Sequence, residues 1–287
     1  MVVYEGFGEI ISSDIELGNR LETSLEKATI NIAAGNFTLP TLTLTNVYRA
    51  GTQASVGFDE NGIYLSWENH GDFKIDTESN IFYQNTNDKT IVMFLLSEIM
   101  GIACWQKGKF VLHAGAVEIN GKAHIFAGVP GQGKSTTITS LWQKGATVLS
   151  DDLVLIDFKN KNIYCTPSIA EIKIWEESVI GLDIDRTTIS LSSEGKRKYL
   201  LPTKSIAESY PVASINIISN EAMDNFAALE LLKYFPLPNQ VLNPIQLKRH
   251  FQESILIQQC CKINHLQPKE SFSDLKAWAQ QFIEENA

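Results

Sequence analysis

The sequence predicts an α/β fold with a β-rich N-terminal domain over residues 1–108 and a second, α/β domain over 109–287. Three observations predict it. Residues 1 to about 87 carry strand-type runs separated by turn signals. A stretch of helical periodicity follows. Beyond residue 109 strands alternate with helices, the mark of an α/β core.

Taken in order, 54–67 holds two β-type runs around Asp59-Glu60-Asn61-Gly62, a hairpin signal. Residues 73–84 repeat the form around Thr77-Glu78-Ser79-Asn80. A helix is expected from about Asn87 to Gln106, because Ile91, Leu95, Ile99 and Ala103 recur every four residues. No catalytic constellation is visible in this first third, which reads as a packing, dimerisation or substrate-holding unit. Next, 110–119, the Asn120-Gly121 turn and 122–127 read as strand, turn and strand. A glycine-rich loop leads into a helix over 134–144, with Gly145 just past its end. A short strand, 146–149, ends at Asp151-Asp152, and 153–158 with 163–165 reads as a further hairpin. Residues 181–204 are polar, so a mobile segment is expected there. Asn243-Pro244 opens a helix, and Cys260 and Cys261 fall in a helical run. A last helix starts at Ser271 or Ser273, with Leu275, Trp278, Ala279 and Phe282 on one face.

Composition excludes some functions. With 33 acids against 24 bases, the net charge of −9 opposes a general nucleic-acid binder and docking on an anionic membrane. The longest apolar run, 91–104, is interrupted by Ser97, Glu98 and Gly101 and is too short and polar to span a bilayer. Cys104, Cys165, Cys260 and Cys261 form no CxxC pair and no metal-ligand spacing, which suits a reducing compartment. The opening residues lack the basic-then-apolar pattern of a secretory signal, so a cytoplasmic location is expected.

The chemistry concentrates in 128–152. Gly128-Val129-Pro130-Gly131-Gln132-Gly133-Lys134-Ser135 fits the G-x-x-x-x-G-K-[ST] phosphate-loop pattern, and Thr136 follows. Glycines let the backbone turn its N–H groups onto phosphate oxygens. Lys134 supplies a charge to the β- and γ-phosphates of ATP, and the Ser135 hydroxyl is placed to ligate Mg²⁺. The loop lies between the apolar strand 124–127 and a helix whose N-terminus favours an anion. A chance glycine turn is the rival reading, and the strand–loop–helix context counts against it. Asp151-Asp152 ends the next strand. In a parallel sheet that end lies beside the loop, where one carboxylate can hold Mg²⁺ and the other can accept a proton. Neighbouring acids on a strand face opposite ways, so shared work requires the strand to stop there. His113 stands on an apolar strand, where a histidine is usually a core group. His70, His124, His250 and His265 carry no functional expectation.

The set Leu112-His113-Ala114-Gly115, the loop, Gly145 and Val148-Leu149-Ser150-Asp151-Asp152 resembles the HPr kinase/phosphorylase family. It is especially similar to stand-alone relatives such as lasso-peptide precursor kinases. The resemblance covers about 113–157, with weaker similarity to about 178. It implies a P-loop core like that of HPr kinase and of phosphoenolpyruvate carboxykinase, which shares the superfamily. It further implies Asp151 as base with His113 its neighbour, Ser135 and Asp152 on the metal side, and self-association. Glu171-Ile172-Lys173-Ile174-Trp175 echoes the family's Glu-Ile-Arg-Gly-Leu-Gly segment without its glycines, which makes Glu171 a further Mg²⁺ ligand by resemblance. Thr136 stands where the family usually has Glu, a departure that weakens the case for HPr itself as substrate. A cationic stretch, Gly195-Lys196-Arg197-Lys198, could clamp phosphate charge or be merely solvated.

The expected function is therefore an ATP- and Mg²⁺-dependent kinase acting on a serine hydroxyl of a peptide or small protein. The alternatives are a small-molecule kinase, a non-enzymatic nucleotide-sensing module and a simple NTPase.

Overall fold

The computed structural model describes residues 1–18, 21–86, 90–192, 197–221 and 226–287. Among these the chain is a mixed α/β protein whose strands form three sheets. The first sheet holds β1 (Val2–Gly6), β2 (Glu9–Ser13), β3 (Glu22–Thr23), β4 (Ile30–Ala34), β5 (Thr43–Arg49), β6 (Thr52–Asp59), β7 (Gly62–Trp67), β8 (Gly71–Asp76) and β9 (Ile81–Gln84). Their order is β3-β1-β2-β4-β9-β8-β7-β6-β5. Both expected hairpins form, β6–β7 over Asp59–Gly62 and β8–β9 over Asp76–Ile81. At the turn of the first, Asn61 N–H donates to Asp59 Oδ1, the local bond that makes Asp a turn opener.

The expected helix is present from residue 91, and its expected start at Asn87 lies outside the described residues. It runs as α1 (Ile91–Phe94), a π-helical turn (Leu95–Ile99) and α2 (Met100–Gln106). Ser97 departs from helical geometry at φ −125, ψ −114. Its hydroxyl, with one proton to donate, lies 2.7 Å from the Met93 carbonyl, 3.1 Å from that of Phe94 and 2.6 Å from Glu98 Oε2, so it competes with the main-chain ladder. The hydrophobic cluster of the first sheet continues into Val111, Leu155, Phe235 and Leu237, so the first third packs directly on the rest of the chain.

The second sheet comprises β10 (Phe110–Leu112), β11 (Ala114–Ile119), β12 (Lys122–Ala127), β13 (Thr147–Ser150), β14 (Val154–Lys159), β15 (Asn162–Thr166), β19 (Tyr210–Ile218) and β20 (Lys262–Leu266). The third, with β16 (Glu171–Trp175), β17 (Ser190–Leu191) and β18 (Lys198–Pro202), covers one flank. The helices are α3 (Lys134–Gln143), α4 (Glu176–Gly181), α5 (Ala227–Leu232), α6 (Pro244–Cys260) and α7 (Phe272–Asn286). Asn243 caps α6 through bonds from the N–H groups of Ile245 and Gln246, and Ser271 caps α7. No helix among the described residues is long and apolar enough to cross a membrane.

Three expectations are corrected. The sheet around the loop is mixed, and β12 and β13 are not neighbours: β11 lies between them, antiparallel to both. They therefore run in the same direction, and their carboxyl ends still share one edge. The 181–204 stretch, expected as a mobile segment, carries β17 and the whole of β18, where alternating Tyr199 and Leu201 pair across to β16. Cys261 is extended and ends α6 instead of continuing it.

Candidate functional site

The loop 128–133 leaves β12 at its carboxyl end and enters α3. Gly133 occupies the helix N-cap at φ 87, a left-handed conformation that disfavours any side chain with a Cβ. At Gly128 a Cβ would lie 2.8 Å from the carbonyl oxygen of Ile218, so the loop can hug β19 at that point because the residue is glycine. The Lys134 ammonium folds back to donate to the carbonyls of Gly128 (2.8 Å) and Val129 (3.2 Å). Burial lowers its pKa below the ordinary lysine range, against the opposing pull of Asp152 and Asp151.

The twin acids meet this loop. Ser135 Oγ donates to Asp151 Oδ1 at 2.9 Å, and the Lys173 main-chain N–H donates to Asp151 Oδ2 at 2.8 Å. Asp151 is 3% exposed. Burial, then the charge of Asp152, pushes its carboxyl up to about 6. Asp152 adopts φ 70, so the chain turns and the two acids can face one site. Burial would raise Asp152 as well. The Lys173 ammonium 3.0 Å away, with Lys198 and His113, outweighs it and holds the carboxyl far below the ordinary range. The Asp152 side chain remains 25% exposed.

His113 lies beside the acids, on the wall of the same cavity, and its Nδ1 bonds the main-chain carbonyl of Asp152 at 3.1 Å. Its own N–H donates to the Tyr234 carbonyl, which ties the strand to the segment after α5. Burial, then the Lys134 ammonium, lowers the imidazole below its ordinary value. Thr136 Oγ1 pairs with Ser178 Oγ at 2.8 Å and anchors α3 to α4.

These groups line a cavity of about 820 Å³. It takes in His113, most of the loop, Lys134, Ser135, Thr136, Asp151 and Asp152; Gln132 faces the other side of the loop. Glu171 is not brought to it: the residue is 7% exposed, and its neighbour-but-one Lys173 takes the wall position. Of the cationic stretch, Lys198 lines the cavity, while Arg197 is 79% exposed and pairs with Glu176 at 3.8 Å. Gly195 and Lys196 lie outside the described residues.

Sequence reasoning missed several wall residues. The first sheet supplies 46–51, the end of β5 with the turn after it, and the π-helical turn supplies Leu96, Ser97 and Glu98. Arg49 grips Glu98 with Nε at 2.7 Å and a second nitrogen at 2.8 Å. Burial favours a protonated Glu98, but Arg49 keeps it ionised. Nothing local in the sequence marks Arg49. Lys173 was within reach of period-two reasoning, since it shares a strand face with Glu171 and Trp175.

No protein-family model matches the chain, and neither does any curated protein. Among solved structures the chain is similar to the HPr(Ser) kinase/phosphatase from Coxiella burnetii. Identity is 14% and the TM-score 0.27, over 40% of this chain and 64% of that one. So loose an overlap says nothing of chemistry, which rests on the side chains above.

Proposed function

We propose that the chain is an ATP- and Mg²⁺-dependent kinase with a P-loop core of the HPr kinase and phosphoenolpyruvate carboxykinase type, transferring the γ-phosphoryl group to a serine hydroxyl of a peptide or small protein. One observation carries the reading: the 2.9 Å bond between Ser135 Oγ and Asp151 Oδ1, made beside Lys134 on the wall of one cavity. A glycine turn without phosphate chemistry has no call for a buried acid at its serine.

The donor set suits Mg²⁺, which takes oxygen ligands and commonly binds through one or two carboxylates plus substrate phosphates. Ser135 and Asp151 would hold it. Among the described residues no cluster of three or more His, Cys, Asp or Glu could cage a metal alone, so nucleotide oxygens would complete the shell. Bound there, the ion supplies charge compensation on the phosphates.

Lys134 turns from its carbonyls to the phosphates, and the loop N–H groups fix them. The acceptor hydroxyl attacks the γ-phosphorus, the bond to the bridging oxygen of ADP breaks, and the proton passes to Asp152. This exchanges the roles that the family resemblance implies. A proton acceptor must first be reachable: Asp152 is ionised and partly exposed, whereas both Asp151 oxygens are engaged in a buried site. Asp151 as base is the second reading, favoured by its acidity near 6. Positioning and electrostatics supply most of the acceleration.

The test is incubation with γ-labelled ATP, Mg²⁺ and serine-bearing peptides, where labelled phosphoserine is expected. Asp152→Asn should lose transfer and keep ATP affinity, while Asp151→Asn should lose the Mg²⁺ dependence of binding. The reverse pattern returns the base to Asp151. Label on metabolite hydroxyls or water alone would make the protein a small-molecule kinase or an NTPase. Tight ATP binding with no turnover would make it a sensor.

A further inference from the structure

The cavity that holds the twin acids also takes in residues 46–51 of the first sheet, 96–98 of the π-helical turn and 233–237 after α5. Irregular backbone brings the first two of these there. Strand β5 is the edge strand of its sheet, and its pairing with β6 slips between Leu44 and Tyr48, a bulge of the kind that re-aims a strand end. The turn that follows holds Ala50 at φ 52, a left-handed conformation uncommon outside glycine, and Gly51 at φ 83. The π-helical turn is itself a feature frequent at functional sites. Arg49 and Glu98 fasten the two elements together. Burial raises Asp152, and the charges of Lys173, Lys198, His113 and then Arg49 lower it, so the end of β5 lies within electrostatic reach of the proposed base.

We propose that the outer face of β5, from Leu44 to Tyr48, holds the acceptor peptide, with a large apolar side chain near its serine packed on Tyr48. The inference rests on the kinase reading above and gives it a specificity. Thr45 and Val47 are buried, which leaves Leu44, Asn46 and Tyr48 on the outer face, with Leu44 66% and Tyr48 68% exposed. The cations of the wall are already matched: Arg49 is paired with Glu98 at 2.7 Å and Lys233 with Glu230 at 2.6 Å. The determinant is therefore apolar rather than acidic. Strand addition is not the mode, since Gln240 Nε2 already takes the Leu44 carbonyl at 2.9 Å on this edge strand. Asn46 and Tyr48 line the cavity of the acids while Leu44 stands outside it, so a chain laid on this face runs without a break into the site. At about 3.3 Å per residue, Leu44 lies roughly 13 Å from Tyr48. A metabolite held at the acids does not span that length, whereas a peptide does.

The experiment incubates a serine-centred peptide library with randomised flanks with γ-labelled ATP and Mg²⁺, and sequences the labelled fraction. Wild-type protein should select a large apolar residue at one position near the serine. Tyr48→Ser, alone and with Leu44→Ser, removes exposed side chains. Each variant should lower kcat/KM for the selected peptide about tenfold, chiefly through KM, and change it less than about twofold for the same peptide with alanine at the selected position. ATP affinity within about twofold of wild type reports a folded site. A selection that is acidic, basic or absent, or an apolar preference that survives in both variants, overturns the inference and leaves the kinase reading standing. So does a preference left intact while the variants change oligomeric state in sedimentation, which gives the face to a second copy. A wild type that labels no peptide overturns the inference and the peptide-kinase reading together.

Discussion

Asp151→Asn should stabilise the nucleotide-free protein at neutral pH while removing a functional carboxylate. Burial and the charge of Asp152 raise Asp151 from an ordinary 3.8 to about 6. At about 1.4 kcal/mol for each pH unit, keeping it ionised in the folded chain costs about 3 kcal/mol. The sign follows from proton binding. Between about pH 4 and 6 the folded carboxyl holds a proton that the unfolded one has released, so the stability due to Asp151 is full below about pH 4 and is lost as pH rises through about 6. Asparagine removes that dependence, and it can still accept from the Lys173 N–H while Ser135 rotates to accept from its amide. The variant's advantage should be near zero at pH 4, open between 4 and 6, and level off at about 2–3 kcal/mol, or roughly 5 °C in Tm for a chain of this size. Thermal unfolding of both proteins from pH 4 to 8, without nucleotide or metal, measures it. A variant no more stable than its parent at pH 8 would mean that Asp151 ionises without cost, and the burial account of its acidity would be wrong.

Lys134→Ala should leave folding intact, since the ammonium bonds carbonyls of its own loop, and should weaken inorganic tripolyphosphate by roughly tenfold to a hundredfold in calorimetric titration. Arg49→Met should cost about 3–5 kcal/mol in urea unfolding, because Glu98, with a side chain 10% exposed, loses the guanidinium that keeps it charged. Adding Glu98→Gln should recover much of that loss. Gly115→Ala places a Cβ 2.7 Å from Ile138 Cγ1 on α3, and should cost about 1–3 kcal/mol by overpacking. It should also weaken tripolyphosphate, since α3 carries Lys134 and Ser135. Unchanged binding would show that the helix yields without moving the loop.

The sequence by itself determined what depends on contacts between residues close along the chain. The Asn120-Gly121 turn is of this kind, with φ 49 and 75 at its two residues. So are the start of α3 at Lys134 and the Asn243 and Ser271 caps, each built from bonds within a few residues. Only the tertiary structure decided which acid sits against Ser135, because the intercalated β11 sets the register of β13 against the loop and no local period reports it. It likewise decided that His113 bonds the Asp152 carbonyl, that Lys173 displaces Glu171 from the wall, and that Arg49 and Glu98 close the far side of the cavity. These depend on how separate sheets pack, and packing is settled by shape and burial between segments distant in sequence.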